Sequence, residues 1–285
     1  MNDMTLPCII VTRPQPEADA WVSQLQAHGV PALALPLIEI GAATLPADQQ
    51  AANQARADCQ NSGPYGAIML VSGNAAQFFI DQKMAQALSC QPPVAIKTRV
   101  WCPGPGTART AMAHGIPAAL IDQPAPGAAQ FDSESLWAQV APQVPAMAEA
   151  GLRVLVVRGA SEGDGGSGEN YAPGGKGRQW LATQLQAAGV GVDFVAVYER
   201  RMPHWSPEQM AQARTALADG SLWLFSSSQA VMHLRNIFSP AELASVSAIA
   251  THPRIAQAAQ NAGFASVKPC RPTMTDVIAS LESRL

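Results

Sequence analysis

Gln24-Leu25-Gln26-Ala27-His28-Gly29-Val30 returns far down the chain as Gln184-Leu185-Gln186-Ala187-Ala188-Gly189-Val190. A chain that writes one unit twice is constrained more by that repeat than by any other feature. In each copy the segment closes an amphipathic helix. Ala18, Trp21, Val22 and Leu25 fall at helical spacing in the first, and Leu181, Leu185 and Ala188 in the second. Gly29 and Gly189 stand just past the helix ends, where a left-handed conformation costs glycine nothing. Apolar strands follow at residues 32–35 and 192–197.

The parallel continues. Ala67-Ile68-Met69-Leu70-Val71-Ser72-Gly73-Asn74-Ala75 matches Leu222-Trp223-Leu224-Phe225-Ser226-Ser227-Ser228-Gln229-Ala230, each a buried strand, a polar turn and a new helix. Pro103-Gly104-Pro105-Gly106-Thr107-Ala108 aligns loosely with Thr251-His252-Pro253-Arg254-Ile255-Ala256. Both precede helices closed by glycine, at Gly115 and Gly263, with apolar strands expected at 118–121 and 266–267. Asp132-Ser133-Glu134-Ser135-Leu136 and Met274-Thr275-Asp276-Val277-Ile278 read as capped helix starts. Strands alternating with helices of this length imply an α/β fold, with parallel sheets covered by helices on both faces. The expectation is two lobes with the working surface in the cleft between them. Residues 42–63 read as a surface helix plus loop, and the glycine-rich run 160–176 as a flexible surface insertion.

Composition narrows the function classes. Of 285 residues, 48% are hydrophobic and 14% charged, which supports sizeable cores and excludes a disordered chain. The formal net charge of −3 argues against a nucleic-acid partner. The N-terminus lacks the pattern of a signal peptide, and no apolar run reaches the roughly 20 residues of a membrane span. Cys8, Cys59, Cys90, Cys102 and Cys270 are scattered, without C-x-x-C spacing, so they read as reduced thiols of a cytoplasmic protein. Nucleotide motifs fail at named positions. Asn170 and Gly177 break the phosphate-loop pattern around Lys176, and Arg109 stands where Gly104-Pro105-Gly106 would need a glycine to extend to G-x-G-x-x-G. No metal or cofactor is expected.

In open parallel sheets, ligands bind beyond the carboxyl ends of the strands. The polar residues expected there are Thr12 and Arg13; Ser72, Gly73 and Asn74; Gly104 to Thr107; Arg158 and Gly159; Ser226, Ser227 and Ser228; and Thr251 to Arg254. They are hydroxyls, glycines, helix N-termini and a few arginines, which suit a ligand carrying several carboxylates. Each serine or threonine has a second reading as a plain helix cap, and Arg13 and Arg158 have one as structural salt bridges. Catalytic motifs are absent. Tyr198, one of three tyrosines, ends an apolar strand and is either a packing residue at a hinge or a proton donor.

The ordered set resembles the uroporphyrinogen-III synthase family. Its segments are Val11-Thr12-Arg13-Pro14, Pro36-Leu37-Ile38-Glu39-Ile40, Val71-Ser72-Gly73-Asn74-Ala75, Gly104-Pro105-Gly106-Thr107-Ala108, Val156-Val157-Arg158-Gly159, Arg178-Gln179-Trp180-Leu181, Val197-Tyr198-Glu199-Arg200 and Phe225-Ser226-Ser227. The resemblance implies two flavodoxin-like lobes, one of residues 1–36 and 202–285 and the other of residues 41–197. Residues 37–40 and 198–201 would be the connecting strands. It implies a cofactor-independent lyase that cyclises hydroxymethylbilane, a linear tetrapyrrole with acetate and propionate arms on every ring. Water is lost, ring D is inverted through a spiro intermediate, and uroporphyrinogen III is formed. Tyr198 matches the family's favoured proton donor. Substrate binding is expected of Arg13, Ser72, Asn74, Thr107, Arg158, Ser226, Ser227 and Arg254, in a monomer. Thr251-His252-Pro253-Arg254-Ile255 departs from the family's Gly-Pro-threonine pattern. The rival readings are a two-lobed protein that binds a small anion without chemistry, and a regulatory descendant of the enzyme that keeps Tyr198 for packing.

Overall fold

Residues 7–61, 63–91, 96–125, 132–160 and 176–282 are described in a computed structural model. The expectation for the glycine-rich run falls on residues 161–175, outside them, as do the first six residues.

The chain opens with β1 (Ile9–Val11), α1 (Glu17–Ala27) and β2 (Ala32–Ala34), then β3 (Glu39–Ala42) and α2 (Pro46–Gln60). The next stretch is β4 (Tyr65–Leu70), α3 (Gly73–Phe79), α4 (Gln82–Ser89), β5 (Arg99–Trp101), α5 (Pro105–Ala113), β6 (Ile121–Asp122), α6 (Ser133–Val140) and α7 (Val144–Glu149). The second copy starts with β7 (Arg153–Ala160), α8 (Lys176–Ala187) and β8 (Gly191–Arg201). It ends with α9 (Pro207–Ala218), β9 (Leu222–Phe225), α10 (Ser228–Ile237), α11 (Pro240–Leu243), β10 (Ser247–Ala250), α12 (Pro253–Ala262), β11 (Ser266–Pro269) and α13 (Met274–Glu282).

Two compact units result, one of Met1–Ile40 with Arg201–Leu285 and the other of Gly41–Arg200. The first holds a sheet in the order β11-β10-β9-β1-β2, the second a sheet in the order β3-β8-β7-β4-β5-β6. In the sequence repeat, β7 and β8 correspond to β1 and β2, and β4, β5 and β6 correspond to β9, β10 and β11. Substituting those equivalents turns one parallel sheet into the other, with β3 added outside β8. Numbered along the repeat, both read 2-1-3-4-5, the flavodoxin-like order. Each unit therefore takes two strands from one copy of the repeat and three from the other.

Period-2 alternation explains the layering. In the first unit Ile9, Val11, Leu222, Leu224 and Ile249 point to the face covered by Ala18 and Leu25 of α1 and by Val277 and Leu281 of α13. Their neighbours Ile10, Trp223, Phe225, Ala248 and Ala250 point to the other face, against α9, α10 and α12. In the second unit Ala67, Met69, Trp101, Val154 and Val156 pack on α6 and α8, while Ile68, Leu70, Leu155 and Val157 are buried on the opposite side. Gly29 and Gly189 take the left-handed conformation, with φ of 75° and 82°.

Three local expectations change. Residues 118–121 do not form one strand: Ala118–Leu120 is a 3-10 turn, in which Leu120 N–H donates to Pro117 O, and only Ile121–Asp122 pairs as strand. The segment 42–63 is mainly the 15-residue helix α2, which is not wholly superficial, since Asp48, Ala52, Ala55 and Cys59 are buried. Tyr198 does not end its strand, because β8 continues to Arg201. There Arg201 Nε donates to Glu39 Oε1 at 3.0 Å, and Ala43 N–H donates to Val197 O at 3.1 Å, so β3 and β8 run in opposite senses. Among the described residues no helix is long and apolar enough to cross a membrane.

Candidate functional site

In the second unit, four parallel strands deliver their polar residues to one end of the sheet. β4 stops at Leu70, and Ser72 caps α3, its hydroxyl accepting the Ala75 N–H at 3.2 Å. Serine suits that position because a short side-chain acceptor satisfies an otherwise orphaned donor. The same hydroxyl lies 3.1 Å from the Tyr198 phenol oxygen. Asn74 follows in the first turn of α3, half-buried.

Beyond β5, Gly104 caps α5, and Thr107 is buried in that helix's first turn. The two helices approach closely: a Cβ built on Gly73 would stand 3.1 Å from Thr110 Oγ1. Arg158 lies inside β7 rather than after it, only 3% exposed, and Nη1 donates to Gly159 O at 3.2 Å. Tyr198 is 4% exposed, and its ring stacks on Phe78 with centroids 6.1 Å apart. Ser72 thus follows β4, while Tyr198 and Arg158 lie in β8 and β7, and the three strands are neighbours in one sheet.

The first unit repeats the arrangement without a phenol. Ser226 follows β9, and Ser227 caps α10, accepting the Gln229 N–H at 3.2 Å. Ser227 therefore occupies the place that Ser72 holds in the other sheet. Thr12, after β1, is committed elsewhere, as its hydroxyl donates to Leu224 O at 2.7 Å. Arg13 pairs with Glu17 at 3.1 Å and lies over the Trp21 ring at 4.5 Å, so its salt-bridge reading holds for part of its guanidinium. Arg254 is exposed in the first turn of α12. Its backbone N–H is taken by His252 Nδ1 at 3.1 Å, while the side chain reaches outward. The histidine that interrupts the family's pattern is here the helix cap.

One residue near the phenol, Phe78, carries no motif and escapes sequence reasoning, and Gly159 is read from sequence only as part of the strand-end pair Arg158-Gly159, without its contact to the phenol. The pairing of β7 with β8 is also irregular at this point: Arg158 pairs with Ala196, but Gly159 pairs with Tyr198, leaving Val197 as an extra residue. Nothing in the apolar run Phe194-Val195-Ala196-Val197 announces that bulge. Chemically, the set offers one aromatic hydroxyl, neutral donors at helix heads, and arginines. Such a set binds carboxylates and can pass one proton. Cys102, beside it at the end of β5, takes no ionic part, because burial and then the Asp122 charge push its thiol up to about 12.

Two solved structures are similar to this chain. A uroporphyrinogen-III synthetase from Helicobacter pylori is 15% identical, with 98% of this chain and 100% of that chain covered and a TM-score of 0.53. A mutant uroporphyrinogen III synthase from Thermus thermophilus is 16% identical, with 98% and 97% covered and a TM-score of 0.46. The first of these supports the fold. The family model described as uroporphyrinogen-III synthase HemD matches residues 19–279. With nearly the whole repeat inside that match, the chain belongs to the uroporphyrinogen-III synthase family.

Proposed function

We propose that Tyr198 donates the proton that releases water when this uroporphyrinogen-III synthase closes hydroxymethylbilane. The observation that carries the reading is the buried phenol held against Ser72 at the carboxyl end of the sheet. The electron-rich terminal pyrrole expels its hydroxyl: the carbon–oxygen bond breaks, the phenol proton goes to the departing oxygen to make water, and a cationic azafulvenium remains, its pyrrole N–H retained, opposite the phenolate. Attack on that electrophile gives the spiro intermediate, and rearrangement inverts ring D before the macrocycle closes. The re-aromatising pyrrole carbon loses a proton, which balances the one supplied. No electron enters or leaves, so the chemistry calls for no redox cofactor.

Closure without guidance gives the uninverted isomer, so the larger task is geometric. We assign binding of the substrate's acetate and propionate arms to Asn74, Thr107 and Arg158, and to Arg13, Ser226, Ser227 and Arg254, while Ser72, expected from the sequence to bind an arm, is assigned to the phenol, which takes its one proton. The same reading makes the protein a cytoplasmic monomer without a nucleic-acid partner, in keeping with its formal net charge of −3. Freshly prepared hydroxymethylbilane tests it. The purified protein should accumulate isomer III, and isomer I alone at the no-enzyme rate contradicts the reading.

A further inference from the structure

We infer that Gly159 and Phe78 are positioning residues for the Tyr198 phenol, contributing to the cyclisation only through it; the inference rests on the reading of Tyr198 as proton donor. The β7–β8 register is regular through Val157–Val195 and Arg158–Ala196, and then steps to Gly159–Tyr198 and Ala160–Glu199. Side chains alternate between faces, so regular pairing would set Val197 opposite Gly159 and send the phenol to the other side of the sheet. The bulge re-aims it, as bulges beside working sites do.

Gly159 then accommodates what the bulge delivers. A Cβ at this position would lie 2.7 Å from both Cε2 and Cζ of Tyr198 and 3.1 Å from its hydroxyl oxygen. Those atoms belong to a rigid ring, so any side chain here displaces the ring itself. Gly159 is not among the glycines with positive φ, so close approach rather than backbone conformation is what excludes a side chain. A glycine inside a strand weakens it and commonly marks such an approach. The ring has little freedom to yield. It is 4% exposed, stacks on Phe78 at 24° between planes, and ends on the Ser72 hydroxyl. Moving it disturbs the Phe78 stack, the Ser72 contact, or both.

A double-mutant cycle on the full chain tests this, with kcat, KM and thermal unfolding measured for Gly159→Ala, Phe78→Leu, Tyr198→Phe and the two pairs with Tyr198→Phe. Gly159→Ala should lower kcat on the order of 10- to 100-fold, the scale of an ångström-level misplacement, with KM little changed. Added to Tyr198→Phe, it should cost nothing further. A purely structural glycine would instead lower the unfolding temperature and cost activity equally in both backgrounds. Phe78→Leu carries the same expectation with a smaller loss, and serves if Gly159→Ala does not fold. Full activity in Gly159→Ala, or a loss undiminished in the Tyr198→Phe background, overturns the inference. If only Phe78→Leu folds, either of those results in that variant overturns it as well. Wild-type kcat in Tyr198→Phe alone instead removes the donor reading.

Discussion

The Tyr198 phenol oxygen and the Ser72 hydroxyl oxygen stand 3.1 Å apart, while the Ser72 oxygen also accepts the Ala75 N–H at the head of α3. A serine hydroxyl has one proton and two lone pairs. With one lone pair on the helix, Ser72 can still give its proton to the phenol oxygen. That arrangement leaves the phenol proton free for the substrate and stabilises the phenolate left after transfer.

Ser72→Ala should therefore do two things. Loss of the cap should cost about 1 kcal/mol of unfolding free energy, and loss of the phenol's partner should lower kcat. Ser72→Thr, which keeps the hydroxyl, should retain most of both. An alanine variant with reduced stability and unaltered kcat would confine Ser72 to capping.

Ser227 allows cap and ligand roles to be separated. Aspartate caps helices about as well as serine, yet its charge repels substrate carboxylates. Ser227→Asp should keep its unfolding free energy within about 0.5 kcal/mol of wild type and raise KM for hydroxymethylbilane several-fold. An unchanged KM in both the aspartate and alanine variants would leave Ser227 a cap alone.

Much of this molecule is legible in its residues. The recurring Gln-Leu-Gln-Ala segment, the glycines at 29 and 189, and the alternation of strand and helix suffice for two parallel α/β sheets. Ser72 and Ser227 are readable as equivalent positions because each follows a short buried strand and precedes a helix. What is not legible depends on pairing. The Val197 bulge arises between two strands far apart in sequence, and no local pattern encodes it. The Gly159 contact and the Phe78 stack follow from that bulge. Residues 118–121 mislead for a different reason: an apolar quartet after proline suits a tight turn as well as a strand, and Pro117 O takes the Leu120 N–H.

Glu39 and Arg201 make stability sensitive to acid. Hydrogen bonding from the Arg201 guanidinium holds the Glu39 carboxyl below the usual carboxylate range, against a smaller opposing effect of burial. The folded pKa is the lower one, so the contribution is complete above the unfolded value and is lost as pH falls through the folded value. Both side chains are more than a third exposed, which limits the effect to less than ~1 kcal/mol. Denaturant unfolding should show the difference between wild type and Glu39→Gln at pH 7 shrinking below about pH 4. A difference independent of pH would show that the pair contributes nothing through charge.

The thiols should separate by burial. Cys59, like Cys102, is pushed up to about 12, chiefly by burial, whereas Cys90 is exposed. Because the thiolate is the reactive form, iodoacetamide at pH 8 should label Cys90 first and leave Cys59 and Cys102 until the protein unfolds. Peptide mass spectrometry over time reads the order, and early labelling of Cys102 would contradict its burial.

The central claim is that the Tyr198 phenol supplies the proton that starts ring closure. The direct measurement is the rate at which wild type and Tyr198→Phe convert freshly made hydroxymethylbilane to isomer III, with uncatalysed isomer I subtracted and both proteins shown to be folded. A positioned general acid contributes on the order of 10²- to 10⁴-fold, so kcat should fall by at least about 100-fold in the phenylalanine variant. A folded Tyr198→Phe protein that makes isomer III at the wild-type rate would contradict the account.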